Sequence, residues 1–356
     1  MKISILLPYK ENFSPTYAGA VSLFINDTLK ISKYRKITTV YGNTKFKKVF
    51  NHNYVNINLN VRFLESQSKK YVQKFSYIEK QKKSDLIELH NRPIYIKYLT
   101  ENLIQRNYIL YFHNDPLTMI GSKTVNERIF LMKKCYKIIF NSKWSKKRFL
   151  NGLSKEIQNS EKLIVINQSA RKNKINLNKK KKIITFVGKL NKSKGYDLFG
   201  EAVLKILDKY KDWKSIVIGD EPRDKIEFHH KNLRELGFKK HKEVLKVYKY
   251  TSIAVVCSRW EEPFGRTSLE ASASGCAVII SNRGGLPETI TNGIVIKDLN
   301  SRNIFKEIEN LILNTKLRKN LQRLSLKNFY LTNKFISGLI DKVRDEKLLY
   351  LHKISI

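Results

Sequence analysis

Acidic residues are scarce in this chain. Against 69 Lys and Arg, the 356 residues hold only 31 Asp and Glu, a formal net charge of +38. Such an excess points first to nucleic acid, but it is spread evenly over both halves, whereas a nucleic-acid reader concentrates charge on one recognisable module. No helix-turn-helix, zinc-finger or RNA-reading signature accompanies it, so nucleic acid is not the expected partner; anionic lipid headgroups, attracting each well-placed cation by roughly 1 kcal/mol, are a better one. Cysteine is also nearly missing: Cys135, Cys257 and Cys276 form no CxxC pair and an odd total, each in an apolar or small-residue context. That excludes a disulfide framework and predicts buried thiols in a reducing cytosol. Long apolar runs are missing too. No window approaches the roughly 18 apolar residues that span a bilayer, and Ile3–Leu7 is too short for a secretory core, so a cytoplasmic protein is expected.

What is present alternates. Short apolar runs at 3–7, 37–41, 86–89, 108–112, 138–140 and 163–166 are separated by stretches of helical period such as 21–31 and 124–135. A second series follows at 183–187, 215–218, 253–257, 278–280 and 293–296. Strands alternating with helices imply βαβ units and parallel sheets, and 356 residues suffice for two cores. The expected organisation is a first Rossmann-like domain over residues 1–168 and a basic linker over 169–182. A second such domain spans 183–327, and a helical tail 328–356. The basic stretch Arg62–Lys83 is partly amphipathic, which suits either a membrane surface or an ordinary exposed helix.

The densest chemistry lies at Glu262-Pro263-Phe264-Gly265-Arg266-Thr267-Ser268-Leu269-Glu270. The first carboxylate falls in a loop after an apolar run and the second inside a helix. In an open α/β sheet ligands sit outside the carboxyl ends of the strands, and carboxylates there are suited to sugar hydroxyls. Gly188, Lys189 and Lys194 lie in a strand-turn-helix segment, where a tight turn, two cations and a helix N-terminus suit a diphosphate. No strand-end Asp-x-Asp and no His/Cys cluster has metal-ligand spacing, so no metal or other cofactor is expected for the chemistry.

With Ala271–Gly275 and Arg283-Gly284-Gly285-Leu286-Pro287-Glu288, this string resembles the Glu-x7-Glu region of retaining GT4 glycosyltransferases. The resemblance implies the GT-B fold: α/β, two doubly wound domains facing a cleft, with a C-terminal helix crossing back to the first. It implies a nucleotide-diphosphate sugar as donor, Lys189 and Lys194 on the leaving diphosphate, and Glu262 with the backbone of Phe264, Gly265, Arg266 and Thr267 on the sugar. Glu270 would take the ribose, and Gly237 and Phe238 would lie near the nucleobase. Position 189 is Lys where the family more usually has Arg, so a planar fork is lacking there. On the first domain His113 matches a histidine near the donor sugar, with His90, Gly19 and Ser142 on the acceptor side.

The expected activity is retaining transfer of a sugar to a cell-surface glycan or glycolipid such as lipopolysaccharide core, at the inner face of the cytoplasmic membrane. Two alternatives remain: a nucleotide-sugar 2-epimerase of the same fold, and a non-catalytic binder of anionic surfaces or nucleic acid.

Overall fold

The computed structural model describes residues 1–59, 66–172, 174–224 and 226–354. The chain divides into two units, Met1–Ser169 with Asn333–Ile356, and Ala170–Thr332.

The first unit is built on seven parallel strands. These are β1 (Ile3–Leu6), β2 (Thr38–Gly42), β3 (Tyr54–Asn56), β4 (Leu86–His90), β5 (Tyr108–Phe112), β6 (Lys137–Phe140) and β7 (Leu163–Val165). Their order is β3-β2-β1-β4-β5-β6-β7. Because helices cover both faces, the central strands are buried throughout and mostly apolar: every residue of β1, β4 and β5 is buried, Ser4, Glu88 and His90 being the polar ones. Edge strand β3 has no such run and was not foreseen. The helix Asn333–Ile354 belongs to this unit and is fixed to it by charge. Arg344 forks onto Glu88 of β4 through Nε and Nη2, at 2.7 and 2.8 Å, and its Nη1 donates to Ser32 and Asp341. Both partners are nearly fully buried, so loss of one would strand the other.

The second unit has six parallel strands. They are β8 (Lys181–Val187), β9 (Lys214–Ile218), β10 (Leu233–Glu235), β11 (Thr251–Val256), β12 (Ala277–Ser281) and β13 (Ile294–Ile296), in the order β10-β9-β8-β11-β12-β13. The helix Tyr196–Lys209 packs its face of Phe199, Val203 and Ile206 against this sheet's core. The three cysteines are buried free thiols. The expected linker is more structured than its composition suggested: β8 already begins at Lys181, and the Lys180 ammonium reaches inward to donate to the carbonyls of Tyr248 and Ser274. The basic stretch Arg62–Lys83 lies partly outside the described residues; from Gln67 to Lys82 it is a helix burying Tyr71, Val72 and Phe75. No helix among the described residues is long and apolar enough to cross a membrane.

Candidate functional site

In the second unit the functional candidates collect where β8 and β11 end. β8 runs into Gly188, and the helix Tyr196–Lys209 starts after Gly195, which offers no side chain as a cap. β11 runs into Cys257 and Ser258, and the helix Arg266–Ala273 starts at Gly265, also without a side-chain cap. Two positive helix ends are thus presented at the carboxyl edge of the sheet. A cavity of about 140 Å³ lies there, lined by Gly188, Lys194, Ser258, Glu262, Gly265, Arg266 and Thr267 among others.

Inside it the Lys194 ammonium is paired with the Glu262 carboxylate. Glu262 owes its position to the turn after β12. The amides of Gly284 and Gly285 donate to the Glu261 carboxylate and the Glu262 carbonyl, both at 2.6 Å. Gly284 has φ 57°, and a Cβ there would collide with the Glu262 backbone, so glycine is required for the loop to come this close. The segment Arg283–Glu288, quoted above as part of one string with Glu262, is therefore its support. Phe264 is buried.

Glu270 sits one turn into its helix, 4% exposed. Its Oε1 accepts from Arg266 Nε at 2.6 Å and from His241 Nε2 at 2.8 Å. Burial works to raise this carboxyl, but the Arg266 charge and the His241 bond outweigh it and hold the group below the usual range. It is therefore an ionised, oriented acceptor.

Lys189, Gly237 and Phe238 do not line the cavity. Lys189 is exposed; its ammonium is 3.5 Å from Glu221, which also takes Arg223 in a two-point pair at 2.7 and 3.0 Å. The Arg223 bond holds the Glu221 carboxyl down to about 2. The chain bends at Gly188, but the bend does not require glycine. Its φ is not positive, and an added Cβ would meet only Phe186, at 3.7 Å; the requirement falls on Gly219, φ 143°, which lies against the Gly188 carbonyl. Gly237 and Phe238 follow β10, two strands from β8, with Gly237 accepting from the Gly219 amide at 3.1 Å. Glu221 and His241 were not foreseen. Each sits in a polar loop or at a helix start, and only contacts formed after folding single them out.

The first unit treats its candidates differently. His90 ends β4 and His113 follows β5, and their rings meet, Nδ1 of His90 to Nε2 of His113 at 2.9 Å. Nδ1 of His113 contacts Gln168 Nε2 at 3.4 Å, so both nitrogens of His113 are engaged. Both imidazoles are buried; burial pushes His113 down to about 3 and His90 well below the ordinary value. His113 is thus held neutral and turned inward rather than offered as an open acid or base. Ser142 is fully buried and caps the helix Lys143–Leu150. Gly19 precedes the helix Ala20–Leu29, and a Cβ there would come within 2.5 Å of the Glu11 carboxylate, which accepts from the Ser22 amide at 3.0 Å. The small residue therefore accommodates Glu11. Among the described residues, no group of three His, Cys, Asp or Glu is arranged to hold a metal ion.

The structure thus consists of two doubly wound parallel sheets, with carboxylates and lysines paired at the strand ends of the second. Comparison with known proteins gives the family. Residues 167–326, nearly the whole second unit, match the glycosyl transferases group 1 model. Spore coat protein SA of Bacillus subtilis is 24% identical over 91% of this chain and 93% of its own length. The lipopolysaccharide core biosynthesis mannosyltransferase LpsB of Rhizobium meliloti is 29% identical, over 34% of this chain and 37% of its own. The crystal structure of HepE from Anabaena, in complex with UDP and glucose, superposes with a TM-score of 0.73 at 17% identity, covering 97% of this chain and 99% of that one. The chain is a GT4-like group 1 glycosyltransferase with the two-domain GT-B fold.

Proposed function

We propose that this enzyme moves a sugar from a nucleoside-diphosphate donor to a glycan or glycolipid of the cell surface, of the lipopolysaccharide-core kind, with retention of anomeric configuration and without a metal. The observation that carries the reading is the Lys194–Glu262 pair, set in a cavity beside two uncapped helix N-termini.

Breaking the bond from the anomeric carbon to the diphosphate gathers negative charge on phosphate while the sugar becomes cationic at carbon. Fixed cations and amide dipoles lower that barrier because they need no reorganisation as the charge develops. Lys194 and Glu262 neutralise each other in the structure. A diphosphate draws the ammonium away and frees the carboxylate for sugar hydroxyls, so leaving group and sugar are recognised by the two halves of one ion pair. Glu270 takes the ribose, with Gly237 and Phe238 beside the base and Lys189 on the outer phosphate. The departing phosphate accepts the acceptor's proton on the face it leaves, so no second carboxylate need act as nucleophile. His90 and His113, being neutral and inward-facing, shape the acceptor-side surface rather than exchange protons.

The acceptor assignment draws on the lipopolysaccharide role of the Rhizobium relative, and the nucleotide on the UDP held by the Anabaena protein. The net charge suits work at the inner face of an anionic membrane. The test is a thermal-shift screen of UDP-, GDP- and ADP-sugars with EDTA present, followed by NMR of the product formed with a core oligosaccharide. A saturable rise above that given by the bare nucleotide, and a product with the donor's anomeric configuration, are expected. Conversion of the donor sugar to its epimer without any acceptor would replace transfer by epimerisation.

A further inference from the structure

Glu270 is held by more than its own helix. Arg266, four residues earlier on the same helix, binds the carboxylate from within that helix. His241 opens a different helix, His241–Tyr250, whose start is set by Glu243 accepting from the Lys240 amide at 3.1 Å. Its Nε2 reaches the same oxygen that Arg266 uses. Oε1 is thus doubly occupied, while Oε2 accepts nothing among the described residues. A carboxylate locked in this way has one oxygen fully committed and the other set to receive O–H donors, and a vicinal ribose diol supplies such donors.

We propose that His241 is a positioning residue that, by clamping Oε1 of Glu270 from the neighbouring helix, aims Oε2 at the ribose diol and so makes the enzyme select ribonucleotide over deoxyribonucleotide donors. This rests on the reading of Glu270 as the ribose ligand. Removing the imidazole takes away the donor that reaches Oε1 from the second helix, and Oε2 is then no longer held in one direction. The loss falls on the diol and not on the diphosphate, because Lys194 and the helix ends are untouched.

The test separates the proposal from the reading beneath it. Calorimetry gives the affinity of UDP, GDP and ADP, each beside its 2′,3′-dideoxy analogue. The proteins are wild type, His241→Ala, His241→Met, which keeps bulk without an N–H, and His241→Gln, which can still donate. The wild type is expected to favour the ribose form of the nucleotide it binds by about tenfold, the worth of one well-made hydrogen bond to a charged group. The Ala and Met variants should bind the dideoxy form as the wild type does and lose the preference to within about twofold, while Gln keeps most of it. A wild type indifferent to the diol overturns the ribose role of Glu270. A wild type that discriminates, with Ala and Met variants that discriminate equally, overturns the role of His241 and leaves Glu270 in place.

Discussion

The two units share a winding but treat polar groups at the ends of their strands in opposite ways. In the second, Lys194 faces Glu262 and Lys189 faces Glu221, charged pairs that are partly open and that a ligand of either sign can take apart. In the first, His90 and His113 are neutral, stacked and buried, and the strong charges, Glu88, Asp341 and Arg344, are sealed under the C-terminal helix. A polar side chain at a strand end is therefore not functional by position alone. What distinguishes the two cases is whether its partner can be exchanged for a ligand.

That contrast can be broken from either side. The largest effect should come from Arg344→Met, which strands Glu88 in the core and should cost about 3–5 kcal/mol of stability. Calorimetric unfolding should show it, while nucleotide affinity at a temperature where the variant is folded stays unchanged. Next, Lys194→Met should leave the fold intact and lower kcat by about 10²–10³, the usual loss when one preorganised partner of a developing charge is removed. A pH series sharpens the first unit. A His held neutral has a lower pKa folded than unfolded, so between pH 6.5 and 5 the unfolded chain binds more protons and stability falls as pH falls. His113, pushed down to about 3, contributes at most about 1.4 kcal/mol per pH unit in that window. His113→Asn should flatten the slope of stability against pH by that amount; an unchanged slope would mean that the imidazole is not held neutral. Smallest is Lys189→Arg, expected to shift donor KM by no more than about threefold, because Glu221 accepts the new fork before phosphate can.

Much of the second unit was legible because its chemistry is contiguous. Glu262 to Glu270 falls on one loop and one helix, and Gly188 to Lys194 on one strand end, so spacing alone brings the residues near each other. The fold was legible for a related reason: most buried parallel strands are apolar runs, and the short edge strands β3 and β10, lacking one, are not among them. What could not be read were partners brought from elsewhere in the chain. His241 reaches Glu270 across 29 residues, Glu221 reaches Lys189 across 32, and Arg344 reaches Glu88 across 256. The inward turn of His113 has the same origin. Nothing local in Tyr111-Phe112-His113-Asn114 reveals that His90 and Gln168 will occupy both its nitrogens. Gly188 shows how a motif glycine misleads, since the backbone that needs to be glycine is the one opposite it, at Gly219.

The central claim is that Glu262 acts on the donor sugar and not on the fold. It is tested most directly by the initial transfer rate of Glu262→Ala, with the donor found by thermal shift, beside the unfolding midpoints of variant and wild type. The account predicts a rate lower by about a thousandfold or more at an unchanged midpoint. Full activity at an unchanged midpoint would contradict it and remove Glu262 from the site.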